Sequence, residues 1–124
     1  MKNSIIIMTL ISSLFGAKAQ QSDNIKILAA SEYNEAIKNN DVQLVDVRTA
    51  KEFNEGAIGD ALNIDFFQQE TFNEEFGKLD KEQPIYLYCR SGNRSQKAAA
   101  KLDSLGFKHI YDLKGGYMGW PYKK

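Results

Sequence analysis

Two short, continuous apolar runs constrain the possible folds of this chain most strongly. One covers most of residues 42–47 and contains Leu44-Val45, and the other is Ile85-Tyr86-Leu87-Tyr88. Strands that are covered by helices on both faces carry such runs, whereas half-exposed strands alternate between apolar and polar residues. Both runs therefore predict strands inside a sheet that is buried on both sides.

The segments between these runs have the signatures of helices. Thr49 with Glu52, and Thr71 with Glu74, both match the capping box that begins many helices. Three further short strands are expected, at residues 25–28, 61–64 and 109–113. Alternating strands and helices predict an α/β fold, with one small central parallel sheet and helices on both faces.

The first 19 residues have the pattern of a signal peptide. Lys2 provides a positive start, residues 5–15 are mostly apolar, and Ala17-Lys18-Ala19 fits the small-residue rule for cleavage. The apolar run is shorter than the roughly 20 residues that span a bilayer. We expect residues 20–124 to form one domain that is exported to the periplasm or secreted, without stable membrane association after cleavage.

The charge balance argues against nucleic acid as a partner. The chain has 16 Lys and Arg residues and 16 Asp and Glu residues, with no basic cluster beyond Lys123-Lys124. Proteins that bind nucleic acid carry basic patches that neutralise phosphates. Removal of the leader, with Lys2 and Lys18, would leave a small excess of acidic residues.

The only cysteine of the chain lies directly after the second apolar run, in Cys89-Arg90-Ser91-Gly92-Asn93-Arg94-Ser95. A helix is expected from about Ser95, so the cysteine lies between a strand end and a helix start, where open α/β sheets place their sites. A thiol near a helix N-terminus and arginines can have its pKa lowered from about 8.5 to roughly 3.5–7.5. We expect a reactive thiolate in an anion-binding loop.

Other uses of the cysteine are less consistent with the sequence. One cysteine cannot form an internal disulfide. One cysteine and one histidine do not supply the roughly four ligands of a structural zinc site, so no metal or cofactor is expected.

Three segments together resemble the rhodanese family of sulfurtransferases. They are Leu44-Val45-Asp46-Val47-Arg48 with the turn that follows it, the loop from Tyr88 to Ser95, and Gly115-Gly116-Tyr117-Met118-Gly119-Trp120. The three occur in the order of the family and cover nearly all of residues 25–121. The resemblance implies a single rhodanese-like domain.

The resemblance also implies a mechanism, in which Cys89 carries a sulfane sulfur as a persulfide. A small sulfur-containing anion such as thiosulfate would load it, and cyanide or a thiol would remove it. The backbone N–H groups from Arg90 through Ser95 would hold the charge of the persulfide. Arg90 and Arg94 would attract the donor, and Gly92 would permit the tight curl of the loop.

Asp46 and Arg48 are expected to support the structure and not to take part in the chemistry. Arg48 and Glu52 are four residues apart and are expected to pair if a helix begins near Thr49. One departure from the family follows at residues 56–61, where Ala57 and Gly59 stand in place of the family's His and Pro. This departure bears on the rigidity of the turn more than on the chemistry.

Two alternative functions remain open. Phosphatases and arsenate reductases of related fold use a similar loop, but they place one more residue between the cysteine and the arginine than lies between Cys89 and Arg94. Rhodanese-like domains also serve as catalytically weak binding or sulfur-relay modules. The presence of Cys89 argues against an inactive copy, although the physiological donor and acceptor cannot be deduced from the sequence.

Overall fold

The structure is a computed structural model that describes residues 22–123. The strands are β1 (Ile25–Leu28), β2 (Gln43–Asp46), β3 (Leu62–Asn63), β4 (Ile85–Tyr88) and β5 (Ile110–Leu113). The helices are α1 (Ala30–Ile37), α2 (Ala50–Asn54), α3 (Gln69–Phe76) and α4 (Asn93–Ser104), followed by a 3₁₀ turn at Tyr117–Gly119. The proposed signal peptide lies outside the described residues. None of these described helices has the length and apolar character needed to cross a membrane.

All five strands are parallel and form one sheet in the order β1-β5-β4-β2-β3. Strand β4 is central, and every residue of it is buried. In β2, Leu44, Val45 and Asp46 are buried as well. The two apolar runs therefore form adjacent strands, and the α/β prediction is confirmed.

Helices cover both faces of this sheet, as predicted. On one face, α3 and α4 contribute Phe72, Phe76, Ala98 and Leu102 to a core that also contains Cys89. On the other face, α1 packs Tyr33 against Tyr86 and Tyr88 of β4 and against Trp120, which follows the 3₁₀ turn. Burial of large side chains on both faces is the main favourable contribution to folding.

The sequence predicted a capping box at the start of two helices, and the structure confirms one of them. Thr49 and Glu52 form a full capping box at the start of α2. The capping box predicted for Thr71 and Glu74 was wrong, because α3 begins at Gln69 and Thr71 lies in its first turn. The Thr71 hydroxyl donates to the Gln68 carbonyl at 3.2 Å, so its side chain satisfies a preceding carbonyl instead of a helix N–H group.

Candidate active site

Cys89 follows β4 immediately, and its side chain lies at the N-terminus of α4. Helix α4 begins at Asn93, two residues earlier than expected, with Gly92 as N-cap at φ 110°. The Gly92 N–H donates to Cys89 Sγ at 3.0 Å, and the Gly92 carbonyl accepts from Gln96 N at 3.1 Å. A positive φ is a conformation that glycine adopts at low cost, which explains the glycine at this position.

The other residues of the loop divide into buried and exposed positions. Gly92 and Ser95 are buried, Arg94 is half-buried, and Arg90, Ser91 and Asn93 are exposed. Only 1% of the surface of Cys89 is exposed. The sulfur is therefore almost completely shielded from solvent.

The Gly115-Gly116 turn supports the Cys89 loop from the opposite side. The Tyr117 N–H donates to the Cys89 carbonyl at 2.7 Å, and the Met118 N–H donates to the Arg90 carbonyl at 2.9 Å. A Cβ atom on Gly116 would lie 2.5 Å from the Arg90 carbonyl carbon and oxygen and 2.7 Å from the Cys89 carbonyl oxygen. Only glycine permits this close approach of the two backbones, a requirement that sequence reasoning did not identify.

Arg94 is held by an acidic side chain from α2. Its Nη1 and Nη2 atoms lie 2.8 and 3.1 Å from the Glu52 Oε1 and Oε2 atoms. The hydrogen bonds from Arg94 lower the pKa of Glu52 to about 2, assisted by Thr49, and those same bonds raise the pKa of Arg94. The expected pairing of Arg48 with Glu52 was wrong, because Glu52 turns toward the cysteine loop.

Arg48 pairs instead with Asp46, and both side chains are almost fully buried. The Arg48 Nε and Nη2 atoms lie 3.0 and 2.6 Å from the Asp46 carboxylate oxygens, and Nη2 also donates to the Gly56 carbonyl at 2.6 Å. Burial opposes the charge of Arg48, but its hydrogen bonds to Asp46 outweigh this effect and raise its pKa. The guanidinium lies 4.3 Å from the centre of the Tyr117 ring, so the pair connects β2 to the Gly-Gly turn.

The turn that lacks the family's His and Pro is anchored by β4. The backbone N–H of Ile58, between Ala57 and Gly59, donates to the Tyr88 hydroxyl oxygen at 2.9 Å. Ile58 itself is buried in the core on the face of the sheet that α1 covers. The turn is thus attached to the strand that delivers Cys89.

An open depression of about 210 Å³ lies beside the loop. It is lined by Arg48, Glu52, Glu55, Arg90, Tyr117 and Met118. Within residues 22–123, no acidic side chain lies at ion-pair distance from Arg90, whose exposed guanidinium therefore supplies uncompensated positive charge. The depression therefore presents an unpaired cation beside the cysteine loop.

One polar residue near the loop was not identified from the sequence. Asp112 lies in β5, and its carboxylate oxygens are buried without a hydrogen-bond partner in the described part of the chain. Burial raises the pKa of Asp112 to about 7, against weaker opposing effects of Ser95 and the Leu113 N–H group. The signal in the sequence was a charged residue inside an apolar strand pattern, which is uncommon without a partner.

The fold and the loop define a class: a parallel α/β domain whose cysteine lies in a turn before a helix N-terminus and accepts a backbone N–H at its sulfur. The family model described as "Rhodanese-like domain" matches residues 29–123. The chain belongs to the rhodanese-like family.

Known relatives are of more than one kind. The chain is 36% identical to the thiosulfate sulfurtransferase GlpE of Coxiella burnetii over 86 residues, which cover 69% of this chain and 78% of that protein. It is 34% identical over 88 residues to the tRNA uridine(34) hydroxylase of Pelagibacter ubique, of which the match covers only 29%. The crystal structure of a rhodanese-related protein from Thermoplasma volcanium superposes with a TM-score of 0.66 at 29% identity, covering 77% of this chain and 89% of that one. Together, the family and its sulfurtransferase member suggest sulfur transfer as the class of activity.

Proposed function

We propose that this protein is a sulfurtransferase that moves a sulfane sulfur from a donor such as thiosulfate to a thiol or cyanide through a persulfide on Cys89. The observation that carries the proposal is the hydrogen bond from the Gly92 N–H to Cys89 Sγ at the N-terminus of α4. Backbone N–H groups and the helix dipole stabilise a negatively charged sulfur at this position. Exposed Arg90 adds positive charge beside it, whereas the charge of the half-buried Arg94 is offset by Glu52.

The reaction proceeds in two balanced steps. The Cys89 thiolate attacks the outer sulfur of thiosulfate, a new S–S bond forms, and sulfite leaves with the electron pair of the broken S–S bond. The acceptor thiolate or cyanide then attacks the outer sulfur of the persulfide. Cys89 leaves as a thiolate, and the product is an acceptor persulfide or thiocyanate. No external oxidant or reductant is required.

Mass spectrometry of the intact protein tests the first step. Incubation with thiosulfate should add about 32 Da, the mass of one sulfur atom on the nucleophile, and cyanide should remove it. Protein that has been alkylated at Cys89 is the control, since its nucleophile is blocked, and circular dichroism before and after alkylation checks that the fold is retained. An equal mass gain in the alkylated protein, or thiocyanate release by Cys89→Ser at an undiminished rate, contradicts the proposal.

A second candidate is a sulfur-relay module that works slowly with thiosulfate. The ion pair between Glu52 and Arg94 favours it, because Glu52 neutralises one of the two cations that would bind a dianion. The near-complete burial of Cys89 also favours a donor that is delivered in a defined orientation. This candidate predicts rapid loading by a small organic persulfide and slow loading by thiosulfate, whereas the free enzyme predicts efficient turnover with thiosulfate.

We also propose that the protein is exported, on the basis of residues 1–19 alone. Cleavage after Ala19 would leave Gln20 at the N-terminus. The intact mass of the protein from the extracytoplasmic fraction of its host tests this proposal. An Ala19→Arg variant should remain uncleaved, and recovery of the full-length wild-type chain from the cytoplasm contradicts the proposal.

A further inference from the structure

Asp112 is a buried ionisable group to which the proposed reaction assigns no role. Its residue surface is 1% exposed, and both carboxylate oxygens are without a hydrogen-bond partner among the described residues. A buried carboxyl without partners is costly, because a charged form is poorly solvated and a neutral form leaves polar atoms unsatisfied. A position of this kind next to a reactive loop is a candidate for function.

Asp112 and Cys89 lie on the same face of the sheet. Asp112 is in register with Leu87 of β4, and Cys89 follows Leu87 by two residues. Side chains alternate along a strand, so Leu87 and Cys89 point to the same side, and both belong to the core beneath α4. A strand spacing of about 4.8 Å and a rise of about 3.3 Å per residue place the two Cβ atoms roughly 8 Å apart.

Ser95 lies between Asp112 and the loop that contains Cys89. Its buried hydroxyl donates to the Gly92 carbonyl at 3.3 Å, and it is close enough to Asp112 to affect the pKa of that carboxyl. Gly92 is also the residue whose N–H group donates to Cys89 Sγ. Ser95 is therefore a neighbour of Asp112 and is hydrogen-bonded to the residue that contacts the sulfur.

We propose that Asp112 is a positioning residue for Cys89: through Ser95 and through its own charge, its protonation state controls the reactivity of the sulfur. This deepens the proposed sulfur transfer and uses the same site. As a neutral acid, Asp112 leaves the hydrogen bond from the Ser95 hydroxyl to the Gly92 carbonyl in place, which is the arrangement in the structure. As a carboxylate, Asp112 accepts from Ser95, withdraws that bond from Gly92, and places a negative charge near the thiolate.

The surroundings of Asp112 favour such a change near neutrality. Burial places the pKa of Asp112 at about 7. The titratable neighbours are Cys89, after β4, and Tyr33 of α1, whose own pKa is raised by burial and by Asp112. Ile27 of β1 and Ser95 of α4 provide no charge, and no Lys or Arg of residues 22–123 pairs with the carboxyl. Loss of the proton therefore leaves an uncompensated charge.

The test is the pH dependence of Cys89 alkylation by iodoacetamide in the wild type and in Asp112→Asn. At pH 5.5 Asp112 is neutral in the wild type, and the two proteins should react at equal rates. At pH 8 the variant should react about two- to tenfold faster, as expected for one charge removed at about 8 Å in a partly screened environment. Alkylation requires only a reactive sulfur, so this result and the sulfur-transfer result can fail separately.

Asp103→Asn is the matched control, because it removes the same charge from the far end of α4, at a half-buried site where the carboxylate accepts from the Asn24 side chain. It should leave the ratio of rates at pH 8 and pH 5.5 unchanged. A constant ratio between wild type and Asp112→Asn across this range, or an equal effect of Asp103→Asn, overturns the proposal.

The wild-type protein provides a second measurement if the variant does not fold. Carbon-13 NMR of labelled aspartate should show one carboxyl that titrates near pH 7. Since coupling between two sites is reciprocal, alkylation of Cys89 should move this midpoint downward by several tenths of a pH unit. An unchanged midpoint overturns the proposal.

Discussion

Glu52 and Arg94 form a bidentate ion pair that joins the first turn of α2 to the first turn of α4, next to the cysteine loop. The same Glu52 Oε1 atom accepts from the backbone N–H and the hydroxyl of Thr49. One carboxylate therefore caps a helix and neutralises a cation that the sequence suggested for donor binding. If the loop binds an anionic donor as proposed, Glu52 competes with that donor for Arg94.

The first prediction concerns Glu52→Gln. Glutamine retains the capping interactions but not the negative charge, so Arg94 becomes available to an anionic donor. We expect kcat/KM for thiosulfate to rise about three- to tenfold, as for a change of one charge near the surface. Steady-state release of thiocyanate measures the effect.

Glu55→Gln is the control for this variant. Glu55 lines the same depression but pairs only with Lys51, at 3.8 Å. It should change kcat/KM by less than about twofold, because exposed charges are strongly screened. If both variants have equal effects, the general negative field of α2 is responsible and the release of Arg94 is not.

The second prediction is a loss of stability in acid that depends on Glu52. Its pKa in the folded protein is lowered to about 2 by Arg94, below the ordinary value of about 4.3 in an unfolded chain. The resulting stabilisation is fully present above about pH 5 and is lost as the pH falls toward 2. Urea unfolding of wild type between pH 6 and 3 should show a steeper decline in the free energy of unfolding than that of Glu52→Gln. Parallel curves for the two proteins would contradict the assigned pairing.

The third prediction compares Gly116→Ala with Gly115→Ala. Both glycines have a positive φ, but only at Gly116 does a Cβ atom collide with the Cys89 and Arg90 carbonyl groups. Gly115→Ala should cost about 1–2 kcal/mol from backbone strain alone. Gly116→Ala should cost about 2–4 kcal/mol and reduce thiosulfate turnover more than tenfold, since the loop must shift. Thermal unfolding and steady-state kinetics measure the two effects, and equal results for both variants exclude the steric explanation.

The fourth prediction concerns the change in stability between mildly acidic and neutral solution. The pKa of Asp112 is raised to about 7 in the folded protein, so the folded state holds a proton that the unfolded state loses near pH 4. The free energy of unfolding should therefore fall as the pH rises from about 4 to 7, and level off above that. Asp112→Asn removes this decline, so its stability relative to wild type should increase by about 2–4 kcal/mol between pH 4.5 and 8. Guanidinium titrations at the two pH values measure the difference, and a difference that does not depend on pH contradicts the assignment.

Features that depend on neighbouring residues in the chain were predictable. The apolar runs at β2 and β4 were recognisable because a strand covered on both faces needs apolar residues at every position. Thr49 and Glu52 indicated the start of α2 through a contact that spans only three residues. The position of Cys89 followed from the same local patterns. Thr71 and Glu74 show the limit of such reasoning, because α3 begins two residues before Thr71, which therefore lies inside the helix and does not cap it.

The sequence by itself determined the order of strands and helices and the placement of the cysteine between β4 and α4, since periodicity and capping are short-range properties. Only the tertiary structure decided that Glu52 pairs with Arg94, 42 residues further along the chain, and that Arg48 pairs with Asp46. It also decided that Gly116 touches the cysteine loop and that Asp112 is buried without a hydrogen-bond partner among residues 22–123. Contacts of this kind depend on how distant segments pack together, and the energy of a charge depends on that packing far more than on its neighbours in the chain.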